Sequence, residues 1–384
     1  MNHSTPAQRR DWVDHTRRVV VKIGSRVLVD EDHLLNEDQV ASLVRQMAKL
    51  RGGGREVICV SSGAIAAGLS ELGWRDRPRD LPSLQAAAAI GQARLIGLYR
   101  ELFAAHGLSV AQVLLTHADL RARERHLNAR NTFNRLLGCG IVPIVNENDT
   151  VAVDEIRVGD NDLLSALVAC LVRAQLLVLL TDTEGLMSQP PGRPGGGGLV
   201  SVVERVTPEI HAMAGRSGSQ IATGGMQSKV QAAEMVSRAG ERAVIAHGRT
   251  PDVLQRILAG EPLGTVVQPR PQRMGGRKRW IAFFNHPRGQ LHIDAGAARA
   301  LVGEGRSLLA VGVTAVEGDF DRGAPVRIID PGGAEIARAL VNYAADALRR
   351  IAGCRSSQIA EILGGCEYEE VVHRDNLVLS SPGR

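Results

Sequence analysis

Residues 18–25 read R-V-V-V-K-I-G-S. Val19, Val20, Val21 and Ile23 around a single lysine describe a strand over 18–23 that stops at Gly24-Ser25. Further along, Asn36 caps an amphipathic pattern over 37–50, glycines 52–54 make a turn, and E-V-I-C-V-S at 56–61 forms a second strand. The alternation continues. Strands are predicted over 109–115, 141–146, 176–181 and 243–246, and helices over 83–106, 124–137, 162–173 and 226–239. Strand, helix, strand repeated in this way implies an α/β fold with a mostly parallel sheet covered by helices on both faces. Ligands of such sheets bind beyond the carboxyl ends of the strands, so the residues just after each strand are the candidates for chemistry.

The chain has 384 residues, enough for two or three domains. Hydrophobic residues at 44% and charged residues at 23% fit a packed globular protein and exclude a disordered chain or a coiled coil. The longest uncharged aliphatic run, near 175–180, falls far short of the ~20 residues of a membrane span. Residues 1–18 are polar and charged with no apolar run, so no secretory signal is visible and a cytoplasmic protein is expected. Cys59, Cys139, Cys170, Cys354 and Cys366 never approach C-x-x-C spacing, which argues for reduced thiols rather than a zinc site. Net charge is +5, divided as +4 up to Gly275 and +1 after it, without the basic excess of a dedicated nucleic-acid binder. Only Lys22, Lys49, Lys229 and Lys278 are lysines among 46 basic residues. Where arginine is the default cation, a retained lysine suits a place that needs a compact point charge, such as a phosphate in transfer.

Q-P-P-G-R-P-G-G-G-G at 189–198 can continue neither a helix nor a central strand and reads as a surface loop. From 269 the chain turns to Pro, Gln, Arg and Gly, placing a boundary near Gln272. Short strands follow at 279–284, 290–294, 311–316 and 325–329, with a helix at 297–302, as in a small mainly β domain. The expected partition is an extension at 1–17, an α/β domain at 18–268, a linker at 269–276 and a second domain at 277–384.

Each strand end carries polar residues. Lys22 lies inside an apolar run, where an ionised amine is costly unless an anion meets it. Ser61-Ser62-Gly63 opens a helix, which suits either an anion site or an ordinary cap. N-E-N-D-T at 146–150 and R-V-G-D-N-D at 157–162 gather Asp149, Asp160, Asn161 and Asp162, a set able to bind an ammonium group or position cations. Thr181-Asp182 ends another strand. Thr223-Gly224-Gly225-Met226 feeds a helix bearing Lys229, so backbone N–H groups and a lysine can face phosphate oxygens. Walker A, G-x-G-x-x-G after a strand, G-x-S-x-G and H-E-x-x-H are all absent from the sequence.

In order, V-V-V-K-I-G-S, S-S-G-A-I-A-A-G, G-Q-A-R-L-I, Q-V-L-L-T, N-A-R-N-T, I-V-P-I-V-N-E-N-D-T-V-A, I-R-V-G-D-N-D-L-L-S-A-L, L-L-T-D and A-T-G-G-M-Q-S-K resemble the amino acid kinase family over residues 18–264. The tail from Gly276 looks like a PUA domain. N-E-N-D followed by G-D-N-D resembles the glutamate-phosphorylating members rather than acetylglutamate kinase, uridylate kinase or aspartokinase.

The resemblance implies a three-layer αβα sandwich with a mostly parallel sheet, plus a small PUA barrel. It also implies phosphorylation of the γ-carboxylate of L-glutamate by ATP, the first step of proline synthesis. Mg²⁺ would arrive with ATP rather than in a protein cage; inhibition by L-proline and a homo-oligomer, dimer or tetramer, are further implications. By the same resemblance Lys22 and Lys229 stabilise the phosphoryl group and Asp162 holds both lysines. Ser62, Asp149 and Asn161 bind glutamate with Asp160 close by. Lys22, Gly24, Thr181, Asp182 and the run Thr223, Gly224, Gly225, Met226, Gln227, Ser228 and Lys229 face ATP. Arg26 departs from the small or hydroxylated residue usual after the Gly-Ser pair.

Two other readings are an RNA-binding tail using Arg277-Lys278-Arg279-Trp280 and a kinase of another small carboxylate. His117 and His126 are expected to be ordinary surface or helix histidines, and the alanines 86–89 to mark close helix packing.

Overall fold

The computed structural model describes residues 13–30, 34–74, 76–151, 161–189, 197–215, 225–271, 273–284, 286–365 and 368–380. The chain divides into two compact units, Met1–Arg273 and Met274–Arg384.

The first unit is built on an eight-stranded sheet: β1 (Arg18–Ile23), β2 (Glu56–Ser61), β3 (Val110–Leu115), β4 (Val142–Glu147), β5 (Leu176–Thr181), β6 (Val202–Val203), β7 (Arg242–His247) and β8 (Thr265–Val267). Their order is β3-β4-β2-β1-β5-β7-β8-β6, and every pair is parallel except β7–β8. The main strands lie within a residue of their expected positions, because uninterrupted aliphatic runs leave little choice of register. β6 and β8, only two and three residues long, gave no periodicity to read.

β1 sits at the centre, its Lys22 opposite Val60 of β2 and Leu179 of β5. Val19, Val21 and Ile23 belong to one core layer with helices Glu37–Gly52 and Leu81–Ala104. Side chains alternate along a strand, so Val20 and Lys22 point the other way, toward helix Asn161–Val172. That alternation places a lysine in the interior. Val13 and Thr16 are also buried, so the end of the expected N-terminal extension belongs to the α/β unit.

Helix Ala64–Leu72 packs on helix Leu81–Ala104 through backbone contact. A Cβ on Gly68 would stand 1.8 Å from the carbonyl oxygen of Ala87, and one on Gly91 would stand 1.8 Å from that of Ala64. Ala87 and Ala88 are buried at this crossing, the close packing that the alanine run suggests.

The second unit carries a five-stranded sheet and a two-stranded ribbon around Leu291, Phe320, Val326, Ile328 and Leu348. W-I-A-F-F at 280–284, read from sequence as strand, is instead helical, following helix Gly276–Arg279. A five-residue apolar run has no period long enough to separate the two choices. Here Ile281 and Phe284 are buried, and Ile281 packs with Leu340 and Val378 of the sheet.

Candidate active site

The carboxyl end of β1 turns sharply at Gly24, whose N–H donates to Leu180 O at 3.0 Å. A Cβ at Gly24 would lie 3.1 Å from that oxygen, a tight contact, and 3.7 Å from Lys22 Nζ, so the backbone passes close to the amine. Lys22 Nζ is 2.7 Å from Asp162 Oδ1. Lys229 Nζ, from helix Met226–Arg238, is 3.0 Å from Asp162 Oδ2, which also accepts a hydrogen bond from Ser228 Oγ at 2.7 Å. All three charged groups are buried, at 4%, 0% and 5% exposure for Lys22, Asp162 and Lys229.

Burial by itself would raise the Asp162 carboxyl; the two lysine charges outweigh it and hold the group down to about 2. Burial lowers Lys229 from its ordinary value, opposed by Asp162. The result is a dry cluster of two cations on one anion, carrying one positive charge to offer an anionic ligand.

Asn161, the neighbour of Asp162, donates from Nδ2 to Asn146 Oδ1 at 2.9 Å and to Ser62 Oγ at 3.1 Å. Ser62 follows β2, and its N–H donates to Ile23 O across the sheet end. Gly63, at φ 102°, makes the left-handed turn into helix Ala64–Leu72. Asp149 stands on the loop after β4; burial, with the Glu147 carboxylate next, pushes its own carboxyl up to about 7.

On the other side of Gly24, Thr181 Oγ1 donates to Asp182 Oδ1 at 3.0 Å, and Arg26 pairs with Asp182 at 2.9 Å. The guanidinium that departs from the usual small residue is thus matched by a carboxylate at the end of β5. Gly225 precedes helix Met226–Arg238; Gln227 is exposed, and Met226 is half-buried. Asp160, Thr223 and Gly224 lie outside the described residues, as does most of 189–198. No group of three or more His, Cys, Asp or Glu side chains among the described residues could hold a metal ion.

The model of the amino acid kinase family matches residues 17–247. The chain belongs to the amino acid kinase family. The PUA domain model matches residues 289–363. Glutamate 5-kinase of Moorella thermoacetica is 50% identical over 375 residues, 98% of this chain and 99% of that protein. Glutamate 5-kinase of Thioalkalivibrio sulfidiphilus is 49% identical over 372 residues, covering 97% and 99%. Among solved structures, UMP kinase from Bacillus anthracis is 15% identical with a TM-score of 0.44, covering 66% of this chain and 96% of that one.

In this amino acid kinase the partners of two polar residues at the strand ends escaped sequence reading. Asn146 Nδ2 donates to Gln92 Oε1 at 2.7 Å, and Ser61 Oγ shares a 2.8 Å hydrogen bond with the hydroxyl of the fully buried Tyr99. His117 is buried with Nδ1 3.4 Å from Glu147 Oε1, and His126 is buried and pushed down to about 4 by desolvation; of the two expected settings, surface or helix, both take the helix, in His117–Arg121 and Arg123–Gly138. The sequence signals for Gln92 were its polar side chain inside the alanine-rich helix and its place in the G-Q-A-R-L-I motif, neither of which named a partner.

The stretch considered for RNA is also less open than its composition suggests. Arg279 is buried with Nε donating to Met274 O, and Trp280 packs beside Ile281 and Leu340. No helix among the described residues is long and apolar enough to cross a membrane.

Proposed function

We propose that this chain transfers the γ-phosphoryl group of ATP to the γ-carboxylate of L-glutamate, forming L-glutamyl 5-phosphate, the first step of proline synthesis. The buried Lys22–Asp162–Lys229 cluster beside Asn161 and Ser62 is the observation that carries this reading. Relatives named glutamate 5-kinase at about half identity over nearly the whole chain support the choice of acceptor.

The γ-carboxylate is ionised at neutral pH and already nucleophilic, so the reaction needs no general base. Catalysis then depends on positioning and on stabilising charge as the phosphoryl group passes between oxygens. Lys22 and Lys229 supply that charge as compact ammonium groups, and Asp162 keeps them aimed by holding one on each oxygen. Ser62, Asn161 and Asp149 hold glutamate, with Asp160 in the neighbouring sequence. Gly24, Thr181, Asp182 and residues 223–229 take the nucleotide, Arg26 adding a guanidinium on that side. Both Asp162 oxygens are committed to lysines and Asp182 to Arg26, which fits Mg²⁺ carried by the nucleotide. Mg²⁺ would supply neutralisation of the phosphate oxygens. Feedback inhibition by L-proline, assembly into a homo-oligomer and a cytoplasmic location belong to the same reading.

The test is ATP consumption with L-glutamate and Mg²⁺, trapping the acyl phosphate as a hydroxamate, with and without L-proline. Glutamate-dependent hydroxamate is the expected result, suppressed by proline. Product without suppression removes feedback control, and no product from folded protein overturns the activity.

A further inference from the structure

Within G-Q-A-R-L-I, Gln92 follows the glycine that touches helix Ala64–Leu72, and the charged cluster does not use it. Its Oε1 accepts from Asn146 Nδ2 at 2.7 Å. Asn146 Oδ1 accepts from the Glu147 N–H at 2.8 Å and from Asn161 Nδ2 at 2.9 Å. A backbone N–H can only donate, so the Asn146 atom facing it is oxygen. The nitrogen of Asn146 therefore faces Gln92, and the Gln92 atom that meets it is oxygen. Asn161 is oriented in turn: its nitrogen serves Asn146 Oδ1, Ser62 Oγ and, at 3.4 Å, Ser61 O, leaving its buried Oδ1 without a hydrogen-bond partner among the described residues. Because Ser62 Oγ accepts from Asn161, the Ser62 hydroxyl proton remains to be donated elsewhere.

We propose that Gln92 is a positioning residue that fixes the polarity of the Gln92–Asn146–Asn161–Ser62 relay, and so makes the pocket selective for an acceptor bearing an ammonium group beside a carboxylate. The inference rests on the glutamate-kinase reading above. Asn161 Oδ1 accepts from the ammonium group and the Ser62 hydroxyl donates to the carboxylate. Were the relay reversed, Asn161 would present its NH₂ and take the Ser62 proton, changing the sign of both ends at once. Without Gln92, the Glu147 N–H still favours the observed orientation, but Asn146 keeps a buried donor with no acceptor. Such an orphan is costly enough to loosen the arrangement.

The test compares Gln92→Met, which removes the acceptor at similar volume, with Gln92→Glu, which keeps it. The readouts are the KM for L-glutamate, the KM for ATP and the inhibition constant of glutarate, which has both carboxylates but no ammonium group. Gln92→Met is expected to raise the glutamate KM about tenfold, to weaken glutarate, which has only the Ser62 end of the relay to lose, by clearly less, and to leave the ATP KM near wild type; Gln92→Glu is expected to stay within a few-fold of wild type throughout. Equal weakening of glutamate and glutarate, a change in the ATP KM alone, or no change in any readout would overturn the assignment. Wild-type protein that makes no glutamyl phosphate would instead sink the functional reading, and the ligand of the relay with it.

Discussion

Lys22 and Lys229 hold opposite oxygens of one buried carboxylate, that of Asp162, at 2.7 and 3.0 Å. One lysine comes from the central strand and the other from the last long helix of the first unit, so the geometry of both depends on a group that need not touch substrate. Asp162→Asn is expected to destabilise the fold by about 3–5 kcal/mol, because two buried amines lose their counterion. Chemical denaturation of the two proteins measures it. The Asp162 carboxyl falls from 3.8 to about 2 on folding, so its contribution is present above pH 4 and disappears as pH drops toward 2. The wild-type advantage should narrow across that interval.

Lys229→Ala is expected to lower kcat by roughly a thousandfold with the fold retained, the scale of losing one cation at a phosphoryl group in transfer. Lys229→Arg should recover little of it, since a planar fork cannot occupy the space of a point charge held at 3.0 Å by Asp162. Single-turnover measurements at saturating ATP separate this from a binding defect; a near-normal rate for Lys229→Ala would remove the residue from the chemistry.

Asp149 is half-protonated near pH 7 because burial and Glu147 disfavour its charge. On the proposed reading the ionised form binds the glutamate ammonium group, so the KM for glutamate should rise as pH falls below about 7, while the KM for ATP changes less. In Asp149→Asn the glutamate KM should be higher throughout and lose this slope. An ATP-selective defect would reverse the assignment.

Gly91→Ala would place a methyl 1.8 Å from the carbonyl oxygen of Ala64. The two helices must separate to admit it, at an expected cost of roughly 3 kcal/mol, the upper range for overpacking. A denaturation midpoint equal to wild type would mean that the crossing is looser than the contact distances describe.

The parallel strands were legible because each is an aliphatic run too short for a helix and bounded by Gly, Ser, Asn or Asp. The lysine inside the first run implied a buried anion, and the family resemblance named Asp162, which meets it from helix Asn161–Val172. What stayed hidden was local in scale or distant in sequence. Three-residue β8 has no readable period, and 280–284 is apolar in every phase, so tertiary contacts with Leu340 and Val378 decide its helical form. The amide relay joins Gln92, Asn146 and Asn161 across 69 residues, a closeness that only the folded sheet creates.

The split origin of the two lysines also means that no single element carries the surplus charge. Lys22 of β1 and Asp162 of helix Asn161–Val172 form a pair whose charges cancel, and the second cation comes only with helix Met226–Arg238. Any displacement of that helix from the sheet would therefore remove the net positive charge without disturbing the Lys22–Asp162 contact.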